Sequence, residues 1–452
     1  MSPKTIMPLL RALAPLLLAA LAGAAAAQPP TAVELDNGLT VLVKEERRAG
    51  VAIASLWYHV GSGYEHRPLT GVSHALEHMM FQGTEEREGG AFSRLIAREG
   101  GWHNAFTSRD YTGYYEKLAA GRLELAFRLE AERMHRLALE QPAFEREMRV
   151  IREERRQRVA DTPEARAFER FTAVSHMASP YRQPIIGWRQ DLQRLRLEDL
   201  QRWYERWYAP ANATLIVVGD VDTERIRELA ERHFGEVPAG EPPPAPPGGE
   251  AAGPLGQRRG ELQLDGARVP LLYVGYNVPS LGTAERPRDA YALLMAAQLL
   301  DGGRSARLAA ELVRGAEVAT SASAYYSQAS RLDTLFTLVA RPRAEAAGTG
   351  LDRLQAALGE QIERLRTEPV GEAELERAVT RLLARETYAR DSLMGQARRL
   401  GELVTAGIGW QEAQRLEERI RAVTAADIQR VARRYLRPER RTVGRLLPGE
   451  GS

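Results

Sequence analysis

The sequence predicts an α+β fold: two homologous domains, each a mainly antiparallel sheet covered by helices, joined by a Pro/Gly-rich linker. Three observations carry this. A chain of 452 residues is too long for one ordinary core and fits two or more domains. The stretch 238–258 holds Pro242-Pro243-Pro244, Pro246-Pro247 and Gly248-Gly249 with almost no large apolar residue, the composition of an extended, semi-rigid linker. The halves on either side of it then end alike. Asp199-Leu200-Gln201-Arg202 leading to Trp207-Tyr208-Ala209-Pro210 is matched 228 residues later by Asp427-Ile428-Gln429-Arg430 leading to Tyr435-Leu436-Arg437-Pro438. A duplicated domain is the simplest source of such a repeat.

Each half mixes two periodicities. In the first, Thr40 to Lys44 and Val51 to Val60 alternate or run apolar, as strands do, and Ala213 to Gly219 is a β-rich run after the helix that stops at Pro210. Gly71 to Gly83 and Leu123 to Leu137 read as helices, and Phe144 to Val159 is helical and dense in charge. In the second half, Val269 to Tyr276 and Leu332 to Ala340 read as strands, Ala290 to Leu300 as a helix, and Thr442 to Leu447 as the counterpart of the run at Ala213. The domains are expected at 28–237, carrying the chemistry, and at 259–448, without a metal site.

Residues 1–27 are expected to be a secretory signal peptide. Lys4 and Arg11 precede or open an apolar run, Leu13 to Ala22, and Ala25-Ala26-Ala27 supplies a small-residue cleavage pattern before Gln28. The run is short for a membrane span, so no stable span is expected after cleavage. The chain has no Cys, which excludes disulfides and lipid attachment through an N-terminal Cys; a packed core must hold it together. Without Lys4 and Arg11 the 62 basic residues fall to 60, equal to the 60 acidic ones, so nothing points to a nucleic-acid partner. Along the sequence, the arginines are interleaved with Glu and Asp and form no run of their own.

All eight His lie in the first half, and most read as structural or solvated. His74 and His78 differ, because they come as a set in His74-Ala75-Leu76-Glu77-His78. On a helix, positions i and i+4 share a face, so two imidazoles there supply two corners of a tetrahedral zinc site. Glu77 borders that face, placed to take a proton from a metal-held water and later deliver it to a leaving amine. The order His-x-x-Glu-His is the inverse of the commoner zinc-protease motif. Such a pattern arises by chance in a chain of this length roughly once in a hundred. One Zn2+ per chain is expected, with a third protein ligand and an open fourth position. The best source of that ligand is the charged helix with Glu147, Glu153 and Glu154.

The segments around the motif resemble the pitrilysin family, which includes insulin-degrading enzyme, the mitochondrial processing peptidase and bacterial paralogues of its zinc subunit. The resemblance runs through nearly the whole chain after residue 27. It covers Gly61-Ser62-Gly63-Tyr64-Glu65, His74 through Thr84, Gly100-Gly101-Trp102-His103-Asn104-Ala105-Phe106-Thr107-Ser108, Pro180-Tyr181-Arg182-Gln183-Pro184-Ile185-Ile186-Gly187, and Tyr208-Ala209-Pro210-Ala211-Asn212-Ala213 through Val221. It implies an exported zinc metalloendopeptidase that hydrolyses peptides or unfolded segments, with Glu77 as general base. It also implies Glu154 as third ligand and Glu147, seven residues earlier, as its support. Glu153 is the rival ligand, turned about 100° away on the helix. Asn104, Ala105, Phe106 and Thr107 match the edge strand to which an extended substrate adds.

One departure bears on partners. Self-sufficient members of the family carry, in the second half, an Arg and a Tyr seven residues apart that hold the substrate. They follow a stretch that Gly302-Gly303-Arg304-Ser305-Ala306-Arg307-Leu308 matches, and the pair's positions here hold Val313 and Thr320. The expectation is therefore a heterodimer, in preference to a homodimer, with a paralogous subunit that lacks the zinc motif and supplies the pair. The setting is the periplasm or the medium. The alternatives are a non-catalytic scaffold subunit of the same fold and a maturation protease dedicated to one peptide.

Overall fold

A computed structural model describes residues 29–47, 49–242, 244–248, 256–343 and 347–449; the expected signal segment lies outside them. The first sheet has six strands: β1 (Thr31–Glu34), β2 (Thr40–Glu45), β3 (Val51–Tyr58), β4 (Trp102–Thr107), β5 (Thr112–Ala119) and β6 (Ala213–Gly219). Their order is β1-β2-β6-β3-β5-β4. The second sheet has five: β7 (Arg258–Leu264), β8 (Leu271–Val278), β9 (Ala319–Tyr325), β10 (Thr334–Pro342) and β11 (Arg441–Pro448), in the order β7-β11-β8-β10-β9. Every pairing is antiparallel except β2 with β6 and β7 with β11. Without β1, the two sheets correspond strand for strand, and the single parallel pair falls at the same place in each.

The repeat in the sequence has a matching structure. Helices Leu197–Trp207 and Ala425–Tyr435 are each followed by a short 3-10 turn, Pro210–Asn212 or Pro438–Arg440, and then by the strands β6 and β11, all offset by 228 residues. Asp199 and Asp427 fix the two helix starts by accepting the N–H of Arg196 and Thr424, each at 3.0 Å. β6 is buried along its whole length and β3 along nearly all of it, which is why both read as continuous apolar runs rather than alternations.

Each sheet packs one face on its own helices, forming two separate cores. The opposite faces are covered by exchange. Helix Leu393–Thr405, from the second half, lays Ala397 and Leu400 on Trp57, Ile53 and Ile216 of the first sheet. Helix Pro163–Ser175, from the first half, lays Ala167 and Phe171 on Leu271, Tyr273 and Leu446 of the second. Both contacts need glycine. A Cβ on Gly401 would meet Trp57 at 2.2 Å, and one on Gly275 would meet Phe171 at 2.7 Å. Burying Phe171 in this way contributes about 1.5–3 kcal/mol. The exchange bears on the site, because Pro163–Ser175 directly follows the helix that carries Glu154.

The charged helix expected over 144–159 is α-helical over Gln141–Arg155 and then widens into a π turn at Arg156–Ala160. Thr162 is extended (φ −115°, ψ 101°), as a residue before proline must be, and Pro163 opens the next helix. Among the described residues, no helix is long and apolar enough to cross a membrane.

Candidate metal centre

Helix Val72–Met79 starts after Gly71, which has φ +89° and leaves no room for a side chain: a Cβ would meet the Ile186 carbonyl at 2.8 Å. The Glu65 carboxyl holds that start by accepting the N–H of Gly71 at 2.7 Å and of Ser73 at 2.9 Å. Burial still dominates this group and pushes it up to about 7. The helix buries Val72, Ala75, Leu76 and Met79 in the first core, which turns His74, Glu77 and His78 toward a cleft of about 880 Å³. Helix Gln141–Arg155 buries Ala143, Phe144, Met148 and Ile151 and brings Glu147 and Glu154 to the histidines.

His74 Nε2 lies 3.7 Å and His78 Nε2 3.5 Å from the same atom, Glu154 Oε2. All three ligand atoms fall within 4.8 Å of one another, and this is the one such cluster among the described residues. Glu154 Oε2 is buried without a hydrogen-bond partner. Tetrahedral zinc with bonds of about 2.0–2.1 Å spaces its ligand atoms about 3.3–3.4 Å apart, so the observed spacing suits a shared cation better than hydrogen bonds. The other carboxylate oxygen, Glu154 Oε1, pairs with Arg158 at 2.6 Å, one helical turn on. His78 Nδ1 meets Glu147 Oε2 at 3.1 Å, an interaction that orients the ring.

The two histidines are pulled apart electrically. Burial, then the neighbouring His78, lowers His74 to about 4. Burial acts on His78 in the same direction, but the Glu147 hydrogen bond and the Glu77 and Glu154 charges outweigh it and carry His78 up to about 9. Glu77 is raised chiefly by burial, against a hydrogen bond that its Oε2 accepts from the Thr107 hydroxyl at 2.5 Å. Glu153 is exposed and turned away. Its carboxylate pairs with Arg156 at 2.8 Å and is held down to about 2, first by Arg156 and then by Gln157.

Asn104, Ala105, Phe106 and Thr107 lie on β4, an edge strand paired, among the described residues, only with β5, and line the same cleft. Phe106 sits over Gly113, where a Cβ would come within 2.5 Å of its ring. The bond from Thr107 to Glu77 and the Arg158 pair with Glu154 were not read from the sequence. An Arg four residues after a candidate ligand was a usable signal for the second; nothing local marks the first. Every residue lining the cleft comes from the first half. Val313 packs against the second core, and Thr320 is exposed on β9.

Comparison with known proteins gives the family. Residues 40–187 match the family described as Insulinase (Peptidase family M16), and residues 194–382 match Peptidase M16 inactive domain. The chain is 31% identical to a zinc protease, PqqE, of Helicobacter pylori over 347 residues, 76% of each chain. The chain belongs to peptidase family M16, the pitrilysin family. Within this family it is also 28% identical to the mitochondrial-processing peptidase subunit beta of Lentinula edodes, over 89% of this chain and 86% of that one. A crystal structure of a protease from Helicobacter pylori superposes with a TM-score of 0.85 at 28% identity, covering 93% of this chain and 99% of that one.

Proposed function

We propose that this chain is an exported zinc metalloendopeptidase, with His74, His78 and Glu154 as metal ligands, Glu147 as support for His78, and Glu77 as the proton carrier. The observation that carries the reading is the convergence of two imidazole nitrogens on one orphaned carboxylate oxygen, in the same cleft wall as Glu77. Two His and one Glu are the donor set of a catalytic zinc with an open position. Zinc held there would supply a Lewis acid that acidifies a water and polarises the scissile carbonyl.

The chain's own residues do the rest. Thr107 engages only Oε2 of Glu77, so Oε1 is left to accept the proton of the attacking water and pass it to the leaving amine. Burial raises Glu77 toward the range in which a carboxyl both takes and gives a proton. An extended peptide adds to the free edge of β4 along Asn104, Ala105, Phe106 and Thr107, held by backbone pairing with little sequence preference. The Thr107 bond ties the end of that strand to the base. Purified wild-type chain is expected to carry one zinc, and His74→Ala to lose both zinc and peptide hydrolysis. A zinc-free wild type that still hydrolyses peptides would refute this assignment.

The substrate site is shared with a second chain, a paralogue lacking the zinc motif. Support comes from a cleft lined by the first half alone, from Val313 and Thr320 at the pair's positions, and from a relative that is itself named a subunit. Full turnover by the isolated chain would end this part of the proposal. Export to the periplasm or the medium rests on residues 1–27; a purified exported chain beginning near Gln28 is the expected result.

A further inference from the structure

Folding brings arginines of several helices to the wall of one cavity. A cavity of about 1180 Å³ lies between the end of helix Gln141–Arg155, the π turn Arg156–Ala160, helix Pro163–Ser175, the short helix Arg189–Leu192 and strand β7. Seven of its lining residues are Arg and three are acidic. The whole chain carries a formal charge of only +2, so this excess is local. The acidic groups are already taken: Glu153 and Asp161 pair with Arg156, and Glu169 receives both arms of Arg155 at 2.8 and 3.0 Å. Arg152 donates to the Leu192 carbonyl at 3.3 Å, and Arg170 lies over the Trp188 ring at 5.6 Å. The side chains of Arg149, Arg166 and Arg189 are exposed and make no hydrogen bond or ion pair among the described residues. Three unpaired guanidinium groups around one concavity are a site for carboxylates or other anions.

The cavity adjoins the metal cleft. Val159 and Glu169 line both. Glu153 and Glu154 are consecutive, about 100° apart on one helix, and serve one cavity each. Among the described residues β7 pairs only with β11, and its half-buried Leu262 and Leu264 line the cavity. A peptide leaving the metal cleft past the π turn therefore meets the leucines of β7 and unpaired arginines.

We propose that this cavity is a second binding site, taking an acidic stretch of the same peptide whose scissile bond lies in the metal cleft. The identity of the ligand rests on the peptidase reading; the site itself does not. The substrate class that follows is a peptide or unfolded segment with a cluster of Asp or Glu outside the residues cleaved.

The test uses the full chain carrying Glu77→Gln, so that binding is read without turnover. Two fluorescein-labelled peptides share a neutral unstructured half, and one ends in a run of Glu, the other in Gln. Fluorescence anisotropy should show tighter binding of the Glu-tailed peptide, and the preference should vanish at high salt. Arg149→Gln, Arg166→Gln and Arg189→Gln together should weaken the Glu-tailed peptide about tenfold, a sum of three exposed charge contacts. The same preference in the triple variant, with an unchanged urea midpoint to certify its fold, overturns the proposal. So does a labelled oligonucleotide that binds these arginines more tightly than the Glu-tailed peptide. A chain that shows the arginine-dependent preference yet, as wild type and with its partner subunit present, hydrolyses no peptide refutes the peptidase reading alone. A chain that hydrolyses peptides without the preference refutes this site alone.

Discussion

Replacing Glu147 by Gln tests whether the support of His78 was read correctly. Glu147 Oε2 meets His78 Nδ1 at 3.1 Å, while His78 Nε2 faces Glu154. With Nδ1–H donating to the carboxylate, the lone pair on Nε2 would be presented to the proposed metal with its basicity raised. A Gln at 147 keeps a hydrogen-bond acceptor and the shape but removes the charge. Loss of such a partner costs about 10–100-fold in metal affinity, or about 1.4–2.7 kcal/mol. The assay is competition for zinc against a chromophoric chelator, with Glu145→Gln as control. Glu145 touches only Gln141, at 2.9 Å and exposed, so that variant should bind zinc as wild type does. An affinity within twofold of wild type for Glu147→Gln, or an equal loss for Glu145→Gln, would refute the reasoning.

Further outcomes follow from the same contacts. Arg133 is 1% exposed, donates from Nε to Glu130 at 2.7 Å, and lies 3.6 Å from Glu116, itself fully buried. Arg133→Met strands the buried Glu130 carboxylate beside Glu116, which burial and Glu130 raise well above the usual carboxylate range, and should cost about 3–5 kcal/mol in urea unfolding; a loss below about 1 kcal/mol would show that the Arg133–Glu130 pair is not what closes this core. Glu317 sits at φ +52°, left-handed backbone that suits glycine. Glu317→Gly should stabilise the chain by about 0.5–1 kcal/mol, since its exposed ion pair with Arg343 offsets little; a lower midpoint would contradict this. Glu65 is pushed up to about 7 by burial, above its unfolded value. Its contribution to stability is therefore present in acid, below the unfolded value, and is lost as pH rises through about 7. The urea midpoint of wild type should fall between about pH 5 and pH 8 relative to that of Glu65→Gln, and parallel curves would count against it.

Much of the fold was legible because the signals were local. The apolar run at Ala213 is β6 to the residue, since a strand buried on both faces needs no partner to declare itself. The ends of Leu197–Trp207 and Ala425–Tyr435 were legible because Pro210 and Pro438 stop the two helices. The motif helix was legible for the same reason: spacing on one helix fixes which side chains share a face. What escaped depends on contacts between distant segments. Thr107 reaches Glu77 across 30 residues, and nothing near Thr107 announces it. The exchanged helices were invisible because a helix pattern states that a face is buried but not against which sheet. The arginine cavity escaped because its residues come from several helices, each of which looks charge-balanced when read along the chain.

In the proposed mechanism Glu77 carries protons beside a metal it does not bind. The most direct test of this role is the turnover of Glu77→Gln on an unstructured peptide, with zinc content measured on the same sample and the partner present where one is required. One zinc per chain, as in wild type, and a rate lower by about 10²–10⁴-fold are expected. Cleavage at the wild-type rate with zinc in place would contradict that role.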